Sequence, residues 1–327
     1  MKSGLAFVTA SGIAWNSGRV LVVALCMFAL PSVFGHGYYL NTLNFVAVFA
    51  LPAIGLSLLS GLCGQLAISH GAFFAIGAYG SAILTLRLGL NPLLASALTQ
   101  AIVIVISAAI GSLVLRLRGH YLAIATLSFS IIVEVLIKES PRLTGGQQGM
   151  TAIPPYHLGA LRLDSDVAVY FAYWSMTLLL LWFALNLAQS RIGRIMRAIR
   201  EGEPVVDSLG ISAAQNKTLI YIVSSVFAGL GGSMYAHFVA FVTPATGSIM
   251  FAIDIIMVLA LGGFDRLWGA LIGVALITLL NEYALGFADY KRIILGFSLV
   301  SVMLVFPRGL LPGLIELLLR PLRRSAS

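Results

Sequence analysis

From Val20 to Leu86 the chain carries no Asp, Glu, Lys or Arg, a run of 67 residues without a formal charge. A water-soluble fold cannot be built on such a stretch, because ordinary soluble domains place charged side chains at about a quarter of their positions. About 20 apolar residues cross the hydrocarbon of a bilayer, so the run supplies roughly three crossings. The remainder follows suit, with 59% of the 327 residues hydrophobic and 10% charged.

Apolar blocks bounded by charges and turn residues predict spans near 20–34, 41–59, 66–86, 92–115, 120–137, 167–188, 218–240, 251–263, 268–286 and 290–306. The expected fold is an all-α polytopic membrane protein of about eight to ten transmembrane helices, a single transmembrane domain over 1–327. The block at 251–263 is too short to cross untilted and is expected to be re-entrant or to merge with its neighbour. Lys2, Arg19 and the apolar run ending at Pro31 could pass for a secretory signal, but no small-x-small site follows, so the run reads as an uncleaved first span. Threading the spans from an inside N-terminus puts fourteen of the 20 Lys and Arg on the inner side, and both termini with them. The net charge of +8 is then an inner face beside anionic lipid, and calls for no nucleic-acid partner.

Small residues mark expected close helix approaches, since hydrocarbon provides no hydrophobic push between helices. Gly64, Gly71, Ala75, Ala78 and Ala82 fall on one helical stripe, and Gly269 and Gly273 make a GxxxG. SGLCGQLAISHGAFFAIGAYG and LGGFDRLWGALIG each place a Gly-rich turn at the inner end of a span, a suggestive internal likeness. Cys26 and Cys63 sit in apolar segments with no ligand spacing around them and read as packing residues.

The charged interruption is RIGRIMRAIREGEPVVDSLGIS, from Arg191 to Ser212, within a segment at 189–217. Ile192, Ile195, Met196 and Ile199 recur at helical spacing, with Arg191, Arg194, Arg197 and Arg200 on the other sides, which predicts an amphipathic helix at the membrane surface with its guanidinium groups toward phosphate and water. Gly202 and Pro204 stop it, and Pro204 suits the first turn of a second short helix that Gly210 ends. A loop that only obeys the charge rule needs neither the apolar face nor the mixed Glu201, Glu203 and Asp207; a docking surface for another protein uses both.

These blocks, in order with RLRGHYLAIATLSFSIIVEVL, TGGQQGM, AGLGGSMYAHFVAFVTP, LALGGFDRLWGALIGVAL and FPRGLLPGL, resemble the permease subunits of bacterial branched-chain amino acid ABC importers of the LivM type, from about residue 40 to 313. The resemblance implies a subunit of the bacterial inner membrane that imports branched-chain or related hydrophobic amino acids. It also implies two cytoplasmic ATP-binding subunits, a second related permease and a periplasmic substrate-binding protein as partners. The chain departs from the family pattern at Gly202 and Pro204, and at Ile68-Ser69 ahead of His70. On this reading Arg197, Arg200, Glu201, Glu203, Asp207 and Gly210 couple to an ATPase, and the segment at 138–166 is a periplasmic loop that meets the binding protein or is only a connector.

The chain has no GxxxxGK[ST], HExxH or GxSxG, so it reads as a transport subunit with no catalytic residues, metal or cofactor of its own, energised by a partner. A zwitterion crossing oil is best met by free backbone groups at helix breaks, which nominates Gly61, Gly64, Gln65 and His70 together with Gly262 and Gly263, although each break is equally an ordinary tight turn. Glu134, Asp254 and Glu282 fall near outer span ends and are candidates for an acidic vestibule, or else hydrated interfacial residues. The competing functions are a urea or short-amide importer permease and a stand-alone secondary transporter, which would want ionisable groups at the bilayer midplane.

Overall fold

The computed structural model describes residues 2–34, 37–117, 119–158, 161–162, 165–283 and the single positions 296 and 304. Twelve helices occupy them in the order α1 (Lys2–Phe34), α2 (Tyr38–Cys63), α3 (His70–Leu88), α4 (Pro92–Val114), α5 (His120–Lys138), α6 (Pro141–Thr144), α7 (Asp166–Gln189), α8 (Arg191–Glu201), α9 (Glu203–Ser208), α10 (Ala213–Val239), α11 (Ile249–Gly262) and α12 (Leu267–Tyr283). Their ends follow local chemistry. The side chains of Asn91, Ser165, Ser212 and Ser248 accept the free N–H groups at the starts of α4, α7, α10 and α11. Gly64 and Gly89 close α2 and α3 in the left-handed conformation.

Six of these helices, α2, α3, α4, α5, α7 and α10, are long and apolar enough to cross a membrane, and α11 with α12 makes a seventh if the bent pair is one span. That pair is bent by 115°, which is what the short apolar block at 251–263 foreshadowed. The predicted span at 290–306 lies outside the described residues apart from 296 and 304. The chain is a multi-pass membrane protein.

The core is the contact of α10 with α2, α3 and α4. Small residues allow it. A methyl group on Gly77 would overlap the backbone of Gly229, one on Gly232 the carbonyl of Phe74, and one on Gly55 the carbonyl of Ser224. Backbones that close exchange dispersion contacts along their whole length, the chief attraction available between helices in lipid. Pro52 has no N–H to give to the Val48 carbonyl, and Gly231 of α10 packs into the space between those two residues.

The predicted small-residue stripe needs one correction. Gly71, Ala75, Ala78 and Ala82 lie on α3, but Gly64 does not, because residues 64–67 are non-helical and Gly64 is the cap of α2. Gly269 and Gly273 do pack closely, though within the bent pair: Gly269 faces the backbone of Gly262, and Gly273 faces that of Val258. α1 lies along α7, held by polar contacts that gain from the absence of water: Asn16 Nδ2 donates to Asn186 Oδ1 at 3.2 Å and Gln189 Nε2 donates to Asn16 Oδ1 at 3.1 Å.

The described residues of the segment at 138–166 form short elements of their own. These are α6, a 3-10 turn at Gly146–Gln148, a strand β1 (Met150–Thr151) and a hairpin of β2 (His157–Leu158) with β3 (Leu161–Arg162). β1 pairs antiparallel with β4 (Phe241–Val242), which ties this segment to the end of α10. A methyl on Gly145 would strike the Gly149 carbonyl and one on Gly149 the Val242 carbonyl, so TGGQQG is a run that only glycines can fold this tightly.

Candidate functional site

The charged interruption folds as its breakers require. α8 ends at Glu201, Gly202 takes an extended conformation, α9 begins with Pro204 in its first turn, and Gly210 turns the chain at φ +77° into α10. The apolar face of α8 is not sunk in headgroups, as the amphipathic pattern suggested. Met196 and Ile199 are buried against the protein itself, with Met196 Sδ at 3.1 Å from Cys63 Sγ at the end of α2. A surface helix in contact with its own bundle satisfies the same pattern as one in contact with lipid, so periodicity alone does not separate them.

The arginines also depart from expectation, because three of them serve helix ends rather than phosphate and water. Arg194 Nη1 donates to the Gln189 carbonyl at 3.1 Å and Arg197 Nη1 to the Ala188 carbonyl at 2.8 Å. These carbonyls end α7, where cations meet the negative end of the helix dipole. Arg200 Nη1 donates to the Gly61 carbonyl at 2.7 Å and to Asp265 Oδ1 at 2.6 Å.

The acidic residues divide in the same way. Glu203 Oε1 lies 2.9 Å from Lys217 Nζ of α10, a cation whose side chain is only 3% exposed. Asp207 Oδ1 accepts the N–H of Ala213 at 2.9 Å, helping to start α10. Glu201 is exposed. The polar groups at Arg194, Arg197, Arg200, Glu203 and Asp207 therefore hold α8 and α9 onto the bundle, while the tip turned away from it is apolar: Val205 is 66% exposed and Leu209 73%. Those two residues are absent from the predicted set. The available signal was two aliphatic residues, four apart, inside the most polar stretch of the chain.

Beneath this segment the structure joins the two glycine-rich breaks. A methyl on Gly61 would stand 2.9 Å from the Phe264 carbonyl, Ser57 Oγ donates to that carbonyl at 3.4 Å, and Arg200 spans from Gly61 to Asp265. Gly64 lies against the Arg200 stem, and Gly263 turns at φ +104° between α11 and α12. Gly262 is spent on packing against Gly269. The two glycine-rich breaks are thus in contact with each other.

In the unwound stretch after Gly64 the backbone of Ile68 is paired through both its N–H and its carbonyl. Ile68 N–H donates to Thr126 Oγ1 at 3.0 Å, the Ile68 carbonyl accepts from Ser130 Oγ at 2.9 Å, and Ser69 Oγ meets Tyr221 OH at 2.8 Å. Non-helical backbone in a membrane protein requires such partners. His70 sits apart from the glycines. Ser224 Oγ donates to the Gly55 carbonyl at 2.5 Å and therefore accepts from His70 Nε2 at 2.6 Å, so the imidazole brackets α2, α3 and α10.

A second histidine closes a polar chain at the other end of α10. His237 Nδ1 faces the Pro154 carbonyl at 2.7 Å and must donate, which leaves Nε2 to accept from Ser81 Oγ at 2.6 Å. Ser81 then accepts from Ser96, and Ser96 from Tyr156, at 3.0 and 2.8 Å. Burial pushes the Tyr156 phenol well above its ordinary pKa, so it keeps the proton it donates.

The candidate vestibule carboxylates lie on three different helices, α5, α11 and α12. Glu134 pairs with Lys138 at 2.6 Å one turn along α5, and Asp254 is exposed on α11. Glu282 belongs to α12, and its side chain lies outside the described residues. Aromatic side chains were also missed: Phe49 contacts Phe74, Tyr235 and Phe251 with ring centres 5.7–6.1 Å apart, joining α2, α3, α10 and α11.

A multi-pass bundle with a bent helix pair and a projecting two-helix element is matched by sequence as well. The profile of the family described as branched-chain amino acid transport system, permease component, covers residues 38–303. The chain belongs to this family. Among curated members, the high-affinity branched-chain amino acid transport system permease protein LivM of Escherichia coli is 30% identical, over 90% of this chain and 75% of that protein. The corresponding LivH of Salmonella typhimurium is 25% identical, over 83% of this chain and 93% of its own length. BraD of Pseudomonas aeruginosa is 26% identical, over 86% and 97%. No solved structure matches the chain.

Proposed function

We propose that the chain is the membrane-spanning subunit of an ABC importer that carries branched-chain or related hydrophobic amino acids into the cytoplasm. Membership in the permease family and the roles of LivM, LivH and BraD support the substrate class. Two separate ATP-binding subunits supply the energy and a second, related permease completes the pore. The segment at 138–166 faces a periplasmic binding protein, and both termini lie on the cytoplasmic side of the bacterial inner membrane, the orientation favoured by the cation count.

The observation that carries the reading is the α8–α9 element, which Arg194, Arg197, Arg200, Glu203 and Asp207 bind to its own bundle while Val205 and Leu209 stand exposed at its tip. Isolated in water such a tip is a liability; set into a groove on an ATPase, each aliphatic side chain contributes about 1.5–3 kcal/mol. The test is a paired substitution, Val205→Asp with Leu209→Asp, which alters exposed residues and leaves the bundle intact. The expected result is a permease that still reaches the membrane but loses its ATP-binding subunits on purification and loses ATP-driven uptake in proteoliposomes. Wild-type uptake by this variant refutes the docking surface.

A further inference from the structure

We propose that the coupling element is a lever, with Glu203–Lys217 as its fixed pivot and Arg200–Asp265 as a latch that opens during transport, so that Asp265 is a positioning residue for the transport cycle. The inference rests on reading the α8–α9 tip as the ATPase-docking surface. Its basis is that the two ion pairs that hold this element are of opposite kinds.

The pivot is buried. Lys217 and Glu203 have side chains 3% and 16% exposed, and breaking their 2.9 Å contact strands a cation where water does not reach. The latch is wet. Arg200 and Asp265 have side chains 43% and 64% exposed, so water replaces either partner at little cost when they part. The pivot lies between the arms: Arg200 precedes Glu203, and the exposed Val205 and Leu209 follow it, with the extended residue Gly202 at the joint. A push on the tip is therefore delivered to Arg200.

Arg200 is where such a displacement has consequences, since a single guanidinium nitrogen holds both the α2 break, through the Gly61 carbonyl, and the α11–α12 break, through Asp265. Releasing it frees the two breaks from the coupling element together. Space for the motion exists: a cavity of about 510 Å³ lies between the element and the α2 break, lined by residues that include Cys63, Gly64, Gln65, Gly202 and Pro204. Gly64 lets the Arg200 stem lie flat, for a side chain there would come within 3.0 Å of Arg200 Cγ.

The chain contains its own reporter. Cys63 is 2% exposed and covered by Met196 of α8 at 3.1 Å, so its alkylation rate reads the separation of α8 from α2. With Cys26→Ser, it is the one remaining cysteine of the chain. In the assembled transporter, purified with its ATP-binding subunits and reconstituted, N-ethylmaleimide modification of the Cys63 peptide is followed by mass spectrometry with and without ATP and vanadate.

The expected results are faster modification when nucleotide is trapped, and a roughly three- to tenfold faster nucleotide-free rate for Asp265→Asn, with Asp265→Glu returning it toward the parent value. A merely structural role for Asp265 would speed modification equally with and without trapped nucleotide, whereas a latch already opened by Asp265→Asn leaves little further acceleration for nucleotide to produce. An unchanged rate in Asp265→Asn, with the ATP-binding subunits still attached and uptake normal, overturns the latch alone. Failure of the parent protein to retain any ATP-binding subunit overturns the docking reading, and the lever with it.

Discussion

Removing one member of the Glu203–Lys217 pair should reveal which end of it is the more deeply buried. At 2.9 Å the pair is in direct contact, and the lysine side chain, at 3% exposed, has no water to fall back on, whereas the glutamate, at 16%, has some. Glu203→Ala strands the lysine and should cost about 3–5 kcal/mol, the range for orphaning a buried charge. Lys217→Met removes the cation from a carboxylate that can still be hydrated, and fills the lysine's volume, so about 1–2 kcal/mol is expected. Combining the two should recover about 2 kcal/mol or more of the summed loss, because neither charge remains to be stranded. The assay is the loss of folded protein on heating, followed by fluorescence-detected size exclusion in detergent, together with protease cleavage between 201 and 212. Equal costs for the two single variants, or strict additivity in the double, would refute the burial argument and with it the pivot.

The glycine seam offers a sharper steric test. Gly77→Ala and Gly232→Ala each place a methyl against backbone, at Gly229 and Phe74, and should lower the melting temperature by an amount equivalent to about 1–3 kcal/mol or more, while Gly18→Ala, with open space around it, should have no effect on the same measurement. Ser224→Ala removes the hydroxyl between His70 and the Gly55 carbonyl and should cost about 1–3 kcal/mol, since a buried imidazole N–H loses its acceptor; Ser224→Thr, which keeps the hydroxyl, should cost less in the same melt.

How much of the molecule could be read from the sequence differs by region for identifiable reasons. The α8–α9 bend was legible because Gly202, Pro204 and Gly210 act on their own backbone, within one or two residues of where they stand. The bend between α11 and α12 was legible from length, since 251–263 is short for a crossing. The partners of the charged residues were not legible. Arg200 and Asp265 are 65 positions apart, and nothing local distinguishes an arginine that caps a distant helix from one that meets phosphate. Glu203 was nominated for its charge as a contact to a partner, yet its charge is held by Lys217. Val205 and Leu209 went unnoticed because an aliphatic residue among charges looks like ordinary spacing until its exposure is known.

The sequence by itself determined that this is a bundle of membrane helices, where most of them begin and end, and where the chain leaves the apolar regime. Those properties depend on composition and on neighbours within a turn or two, and the transfer of backbone and side chains between water and oil sets them. Only the tertiary structure decided that two distant glycine breaks touch, that one arginine joins them, and that one ion pair is dry while the other is wet. Such facts are settled by which backbones approach closely enough to exclude water, and that requires the whole bundle to be in place.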